Sequence, residues 1–154
     1  SYISLIVVLV VIGGAWILST FFYQLMIIRG ESMSPSYHNM QLVILDKYSK
    51  DYIYGDVIAF HCEGLGEVLV KRIVACPGDS VVIENGILYV NGQISSVFPD
   101  VGIFTYSGLA KDEIKLAAHE YFVIGDNISE SKDSRYAEVG SVYSMDIKGE
   151  ILSW

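Results

Sequence analysis

From Ile3 to Phe22 the chain carries no charged residue, and apolar character runs on to Ile28. About 20 such residues in a helix span the hydrocarbon core of a bilayer, about 30 Å. The pattern therefore predicts one membrane-spanning helix, with an anchor over residues 1–25 and a folded domain over 26–154. A cleavable export signal would have a shorter apolar core followed by a small-residue cleavage site. Neither is evident, so a retained anchor is expected. Gly13-Gly14 and Ser19-Thr20 are tolerated in such a helix, and Phe21, Phe22 and Tyr23 suit a membrane–water boundary. A helix buried in a soluble core is the other reading of the run, but most core helices are shorter.

Beyond the helix the apolar runs become short and turn signals frequent. Leu42–Leu45 is one such run, and Tyr54-Gly55-Asp56 reads as a turn into Val57–Phe60. Gly64-Leu65-Gly66-Glu67 supplies a return into a strand over Val68–Ala75, and Pro77-Gly78-Asp79 closes it. Val81–Ile83 and Ile87–Val90 flank Asn85-Gly86, the strongest hairpin signal in the chain. Residues 93–118 show no firm period. Tyr121–Ile124 is a further strand, followed by a polar loop to Arg135, and Ser141–Tyr143 and Lys148–Leu152 read as the last strands. The expected fold is mainly β, a coiled antiparallel sheet or barrel behind one N-terminal transmembrane helix.

The net charge is -8 and the first charged residue is Arg29, so the acidic balance belongs to the β domain. That argues against a nucleic-acid partner. Arg29, as the cation flanking the helix, leans by the positive-inside rule toward a cytoplasmic domain. Cys62 and Cys76 form no CxxC; a hairpin over 57–76 sets them apart, so two free or buried thiols are expected. His38, His61 and His119 are scattered without metal spacing, and no metal is expected.

Two residues change this picture. Ser32 opens Ser32-Met33-Ser34-Pro35, with nine residues between it and Phe22. Lys71 lies among Leu69, Val70, Ile73 and Val74. A lysine held in apolar surroundings loses its proton more readily, and a neutral amine is a base. A serine needs such a base to act as a nucleophile. The competing reading is a strand lysine whose tip reaches water. Strand alternation then makes Arg72 the exposed neighbour. His38 is a lesser option as base. In the loop Gly125–Arg135, Asp126 and Asn127 are suited to Asx turns and Asp133 can pair with Arg135.

Taken in order, Gly30-Glu31-Ser32-Met33-Ser34-Pro35, Gly55–Phe60, Lys71–Asp79, and Gly125-Asp126-Asn127 through Asp133-Ser134-Arg135 make the chain resemble the type I signal peptidases of bacteria, in a minimal form like that of Gram-positive members. The resemblance implies a membrane-bound serine endopeptidase that removes signal peptides from exported preproteins after small residues. It implies Ser32 as nucleophile, Lys71 as general base, Ser131 orienting the lysine, Asp133 and Arg135 as a bracing pair, and Asp126 as support. Met26, Ile28, Gly30, Met33, Leu69 and Val70 would form the substrate cleft. Gly30 stands where some members carry a serine donor, and Ile128 where the family usually has arginine. No cofactor is implied. The implied partners are preprotein signal peptides and the lipid bilayer, and the implied location is a single-pass membrane protein with an extracytoplasmic catalytic domain. The alternatives are a membrane-tethered β module without catalysis, and a self-processing Ser/Lys peptidase cutting near Ala117-Ala118.

Overall fold

The computed structural model describes residues 1–97 and 102–152. Helix α1 (Tyr2–Phe22) is apolar on every side and buries no residue against the rest of the chain. Such a helix satisfies its own backbone and leaves its side chains to a lipid solvent. It passes without a linker into strand β1 (Tyr23–Ile27). Pairing of Tyr23–Ile27 with β2 (Leu42–Asp46) explains the change, because the ladder Tyr23↔Asp46 through Ile27↔Leu42 overrides helical continuation. Phe22 is held to the domain by its carbonyl, which accepts from the Lys47 N–H at 2.8 Å, and by its ring, set edge-on to Tyr48 at 5.1 Å. Lys47 Nζ donates to the Thr20 carbonyl at 3.2 Å.

The remaining strands are β3 (Val57–Cys62), β4 (Glu67–Ala75), β5 (Ser80–Glu84), β6 (Ile87–Val90), β7 (Gln93–Ile94), β8 (Ile114–Lys115), β9 (Glu120–Ile124), β10 (Val142–Tyr143) and β11 (Ile147–Leu152). They form a seven-stranded sheet, β1-β2-β11-β3-β4-β9-β10, and a four-stranded one, β7-β6-β5-β8. No closed barrel forms. β1 and β10 end the larger sheet, whose edges stay open. The Asn85-Gly86 hairpin forms as its sequence demands, with φ of 50° and 77°, the left-handed pair that matches strand twist.

The centre of the large sheet is covered on both faces. Ile58 and Phe60 of β3 pack with Ile73, Tyr121 and Val123 on one side. Val57 and Ala59 pack with Ile28, Met33, Val43 and Val70 on the other. Two-sided burial explains why β3 and β4 read as continuous apolar runs. A third cluster, with Val74, Val81, Leu88, Phe104 and Phe122, fills the space between the sheets. Among its described residues, the segment that showed no period holds the two-residue strands β7 and β8 and a short 3-10 helix at Gly108–Lys111. Both cysteines are free. Cys62 pairs across the β3–β4 hairpin with Glu67, whereas Cys76 follows the far end of β4.

Among the described residues, β4 and β1 both keep a free backbone edge. β4 pairs with β3 over Glu67–Arg72, but with β9 only from Arg72 to Ala75, so one edge of residues 67–71 has no strand partner. β1 pairs on one side only.

Gly149, on β11 between β2 and β3, is a packing test of this sheet. A Cβ there would lie 2.2 Å from the Asp46 carbonyl oxygen, and the backbone cannot yield cheaply. Gly149→Ala is expected to destabilise the domain by about 1–3 kcal/mol, measured by chemical denaturation. An unchanged midpoint would contradict the packing.

Candidate active site

After β1 the chain runs past Ile28, whose N–H donates to the Gln41 carbonyl at 2.8 Å and whose carbonyl accepts from Met40 N–H at 2.7 Å. Gly30 then takes φ +81°, a conformation that costs glycine little. Its N–H donates to Asn39 Oδ1 at 2.9 Å. The chain coils into turns closed by Ser34 N–H to Glu31 O and Tyr37 N–H to Met33 O. Met33, only 1% exposed, pins this coil into the core and leaves Ser32 half-buried at its rim.

Lys71 arrives from the middle of β4, only 3% exposed. Its Nζ donates to Ser32 Oγ at 2.6 Å. Burial pulls the ammonium from 10.5 down to about 8, against the attraction of the Asp133 and Glu67 carboxylates. The reading in which the lysine tip reaches water therefore fails. A neutral amine at this distance is placed to accept the hydroxyl proton. His38, His61 and His119 are all exposed.

The loop after β9 holds the serine segment. Asn127 N–H donates to the Ser32 carbonyl at 3.0 Å, and Asn127 Nδ2 donates to the Glu31 carbonyl at 3.1 Å. Gly125 permits the approach. A Cβ there would come within 2.1 Å of Ser131 Oγ and 2.5 Å of the Ser32 carbonyl oxygen. Ser131 Oγ is thus beside the serine backbone, buried, and without a hydrogen-bond partner. Asp133 and Arg135 form a bidentate pair at 2.8 and 2.9 Å, almost wholly buried. Asp133 Oδ2 also accepts from Gly125 N–H at 3.1 Å, and Arg135 donates to the carbonyls of Ile128 and Ser131. The Ile128 side chain packs toward the core between the sheets.

Asp126 accepts from Arg72 Nε and Nη2 at 2.7 and 2.6 Å, and Arg72 also donates to the Gly55 carbonyl. Alternation does turn Arg72 away from the Lys71 side. Its destination is this ion pair rather than open solvent, a partnership no spacing in the sequence announces.

A cleft of about 340 Å³ opens beside the Ser32–Lys71 contact. Of the residues the resemblance assigned to a substrate cleft, Met26, Ile28, Met33, Leu69 and Val70 line this one and Gly30 does not. Arg29, Glu67 and Val68 line it as well. Sequence reasoning passed over them because single exposed residues beside a turn look like ordinary solvated surface.

The family described as signal peptidase, peptidase S26, matches residues 1–154. Signal peptidase I U of Bacillus subtilis (strain 168) is 32% identical over 145 residues, covering 86% of this chain and 78% of the relative. Signal peptidase I of Bacillus amyloliquefaciens is 31% identical over 141 residues, covering 83% and 74%. The crystal structure of a signal peptidase I from Enterococcus faecalis V583 is similar with a TM-score of 0.54 at 27% identity, covering 67% of this chain and 97% of that one. A match along the entire chain, joined to these relatives and to an apolar helix that fits a membrane anchor, means that the chain belongs to the signal peptidase S26 family and is a serine endopeptidase.

Proposed function

We propose that this chain removes signal peptides from exported preproteins with a Ser32–Lys71 dyad and an acyl-enzyme intermediate, cutting after small residues. Membership of the family supports signal-peptide removal. The observation that carries the dyad is the 2.6 Å contact between a dehydrated amine and a hydroxyl. The cleavage segment enters extended and adds as a strand along the free edge of β4, opposite the end of β1. Side chains one and three positions before the bond enter the shallow apolar wall formed by Met26, Ile28, Met33, Leu69 and Val70.

Neutral Lys71 takes the Ser32 proton as Oγ attacks the carbonyl carbon. The Ser32 N–H donates to the developing oxyanion. Lys71 returns its proton to the leaving amine, the peptide bond breaks and the signal peptide stays esterified to Ser32. Lys71 then takes a proton from water, whose oxygen attacks the ester, and hands it to Ser32 Oγ as the ester bond breaks, which restores the hydroxyl and the neutral amine. Ser131, Asp133, Arg135 and Asp126 act as positioning residues around this exchange. Residues 1–25 serve as the anchor and 26–154 as the peptidase domain, β1 straddling the join, with the domain on the extracytoplasmic side. Confinement of enzyme and preprotein to one membrane raises their effective concentration.

Ser32→Ala and Lys71→Ala are each expected to lower cleavage of a preprotein in detergent micelles by about 10³-fold or more, with circular dichroism unchanged. Parent-like turnover by Lys71→Ala would exclude the dyad. The cleavage rate is expected to rise with pH through about 8, where Lys71 loses its proton, and then level. A rate that falls above neutrality would point to another base. The same dehydration has a stability sign. The unfolded chain keeps this proton to 10.5 and the folded chain releases it at about 8, so the parent gains stability across that window and carries a penalty below it. Lys71→Met is therefore expected to be more stable than the parent at neutral pH, by up to about 3 kcal/mol, with the difference shrinking as pH rises. Denaturant titrations at several pH values measure it.

A further inference from the structure

The cleft beside the dyad holds, besides Lys71, two charged residues, Arg29 and Glu67. Both are exposed, and among the described residues neither makes an ion pair. Their places along the cleft differ. Neighbouring strands are antiparallel from β1 through β2, β11 and β3 to β4, so β1 and β4 run in the same sense. Both run toward the dyad, because Ser32 lies beyond the end of β1 and the stretch of β4 that opens at Glu67 reaches Lys71 at mid-strand. Arg29 is therefore at the dyad end of one wall. Glu67 opens β4 on the other wall, about 13 Å from Lys71 along the strand at roughly 3.3 Å per residue. Its charge is still felt at Lys71, where it opposes the loss of the proton.

We propose that Glu67 selects substrates by charge, favouring preproteins with a lysine or arginine five positions before the scissile bond and disfavouring an acidic residue there. This rests on the proposed peptidase function, in which the substrate strand lies in the cleft with its cut end at Ser32. Side chains one, three and five positions before the bond then face one wall, since strand side chains alternate. The first two meet apolar surface. The fifth stands as far from the bond as Glu67 stands from Lys71, because both spans are four residues of extended chain. The unpartnered backbone of residues 67–71 fixes that register, as an added strand must match its hydrogen bonds. A basic side chain lays its stem along Leu69, on the face of β4 that carries Glu67, and presents its charge to the carboxylate.

The test uses the full chain in detergent micelles and three peptides spanning one cut site, with Lys, Ala or Glu five positions before the bond. The parent is expected to show a kcat/KM ratio of about fivefold for Lys over Glu at low ionic strength, collapsing toward unity at about 0.5 M salt. Glu67→Gln should bring the ratio near one, and Glu67→Lys should invert it. Each ratio is taken within one variant, so any change in Lys71 proton affinity caused by removing the carboxylate cancels. A ratio that Glu67→Lys leaves unmoved, or that Arg29→Gln moves instead, overturns the proposal while Ser32-dependent cleavage of the Ala peptide leaves the peptidase function standing. Absence of any Ser32-dependent cleavage sinks both.

Discussion

The structure depends on keeping one amine dry against one hydroxyl. An ammonium left in apolar surroundings is expensive, and the chain resolves the cost by lowering the group's proton affinity rather than by giving it a full counter-ion. Asp133 is close enough to act on Lys71 through space, yet its oxygens are occupied by Arg135 and the Gly125 N–H. A carboxylate bonded directly to Lys71 would have held the proton and removed the base. Arg135 therefore engages the carboxylate that acts most strongly on Lys71.

The same logic orders the surrounding loop. Two bidentate arginine–carboxylate pairs, Arg135–Asp133 and Arg72–Asp126, fix the segment after β9 at both of its ends. Paired forks of this kind set orientation as well as energy. On either side of Asp126, Gly125 and Asn127 approach the backbone of Glu31 and Ser32. Ser32 is thus positioned through its main chain, and its side chain is left to face Lys71.

Much of this was legible in the sequence because it is written in local chemistry. The uncharged run, the Asn85-Gly86 turn, the two-sided apolar strands and a lysine among valines each carry their own physical signature. What was not legible depends on partners distant in the chain. β1 looked like the tail of a helix, since only its ladder with β2 makes it a strand. Arg72 looked like a solvent-facing residue until the fold brought Asp126 to it across 54 positions. Barrel closure is a property of sheet edges, and no strand's composition states whether the last edge finds the first. Residues 93–118 form strands too short to impose a period. Ser131, which the resemblance gave the role of orienting Lys71, lies beside the Ser32 backbone, and its hydroxyl makes no hydrogen bond.

The join between α1 and β1 has a consequence for substrate choice. No flexible spacer separates the membrane helix from the sheet, and Phe22, Thr20 and Lys47 fasten the junction from both sides. In the proposed reaction Ser32 consequently stands at one height above the lipid, like a blade bolted to a bench. A preprotein cut by it would have to bring its bond to that level, and the number of residues between the end of its apolar helix and the cut would become a gauge read before any side chain is tested.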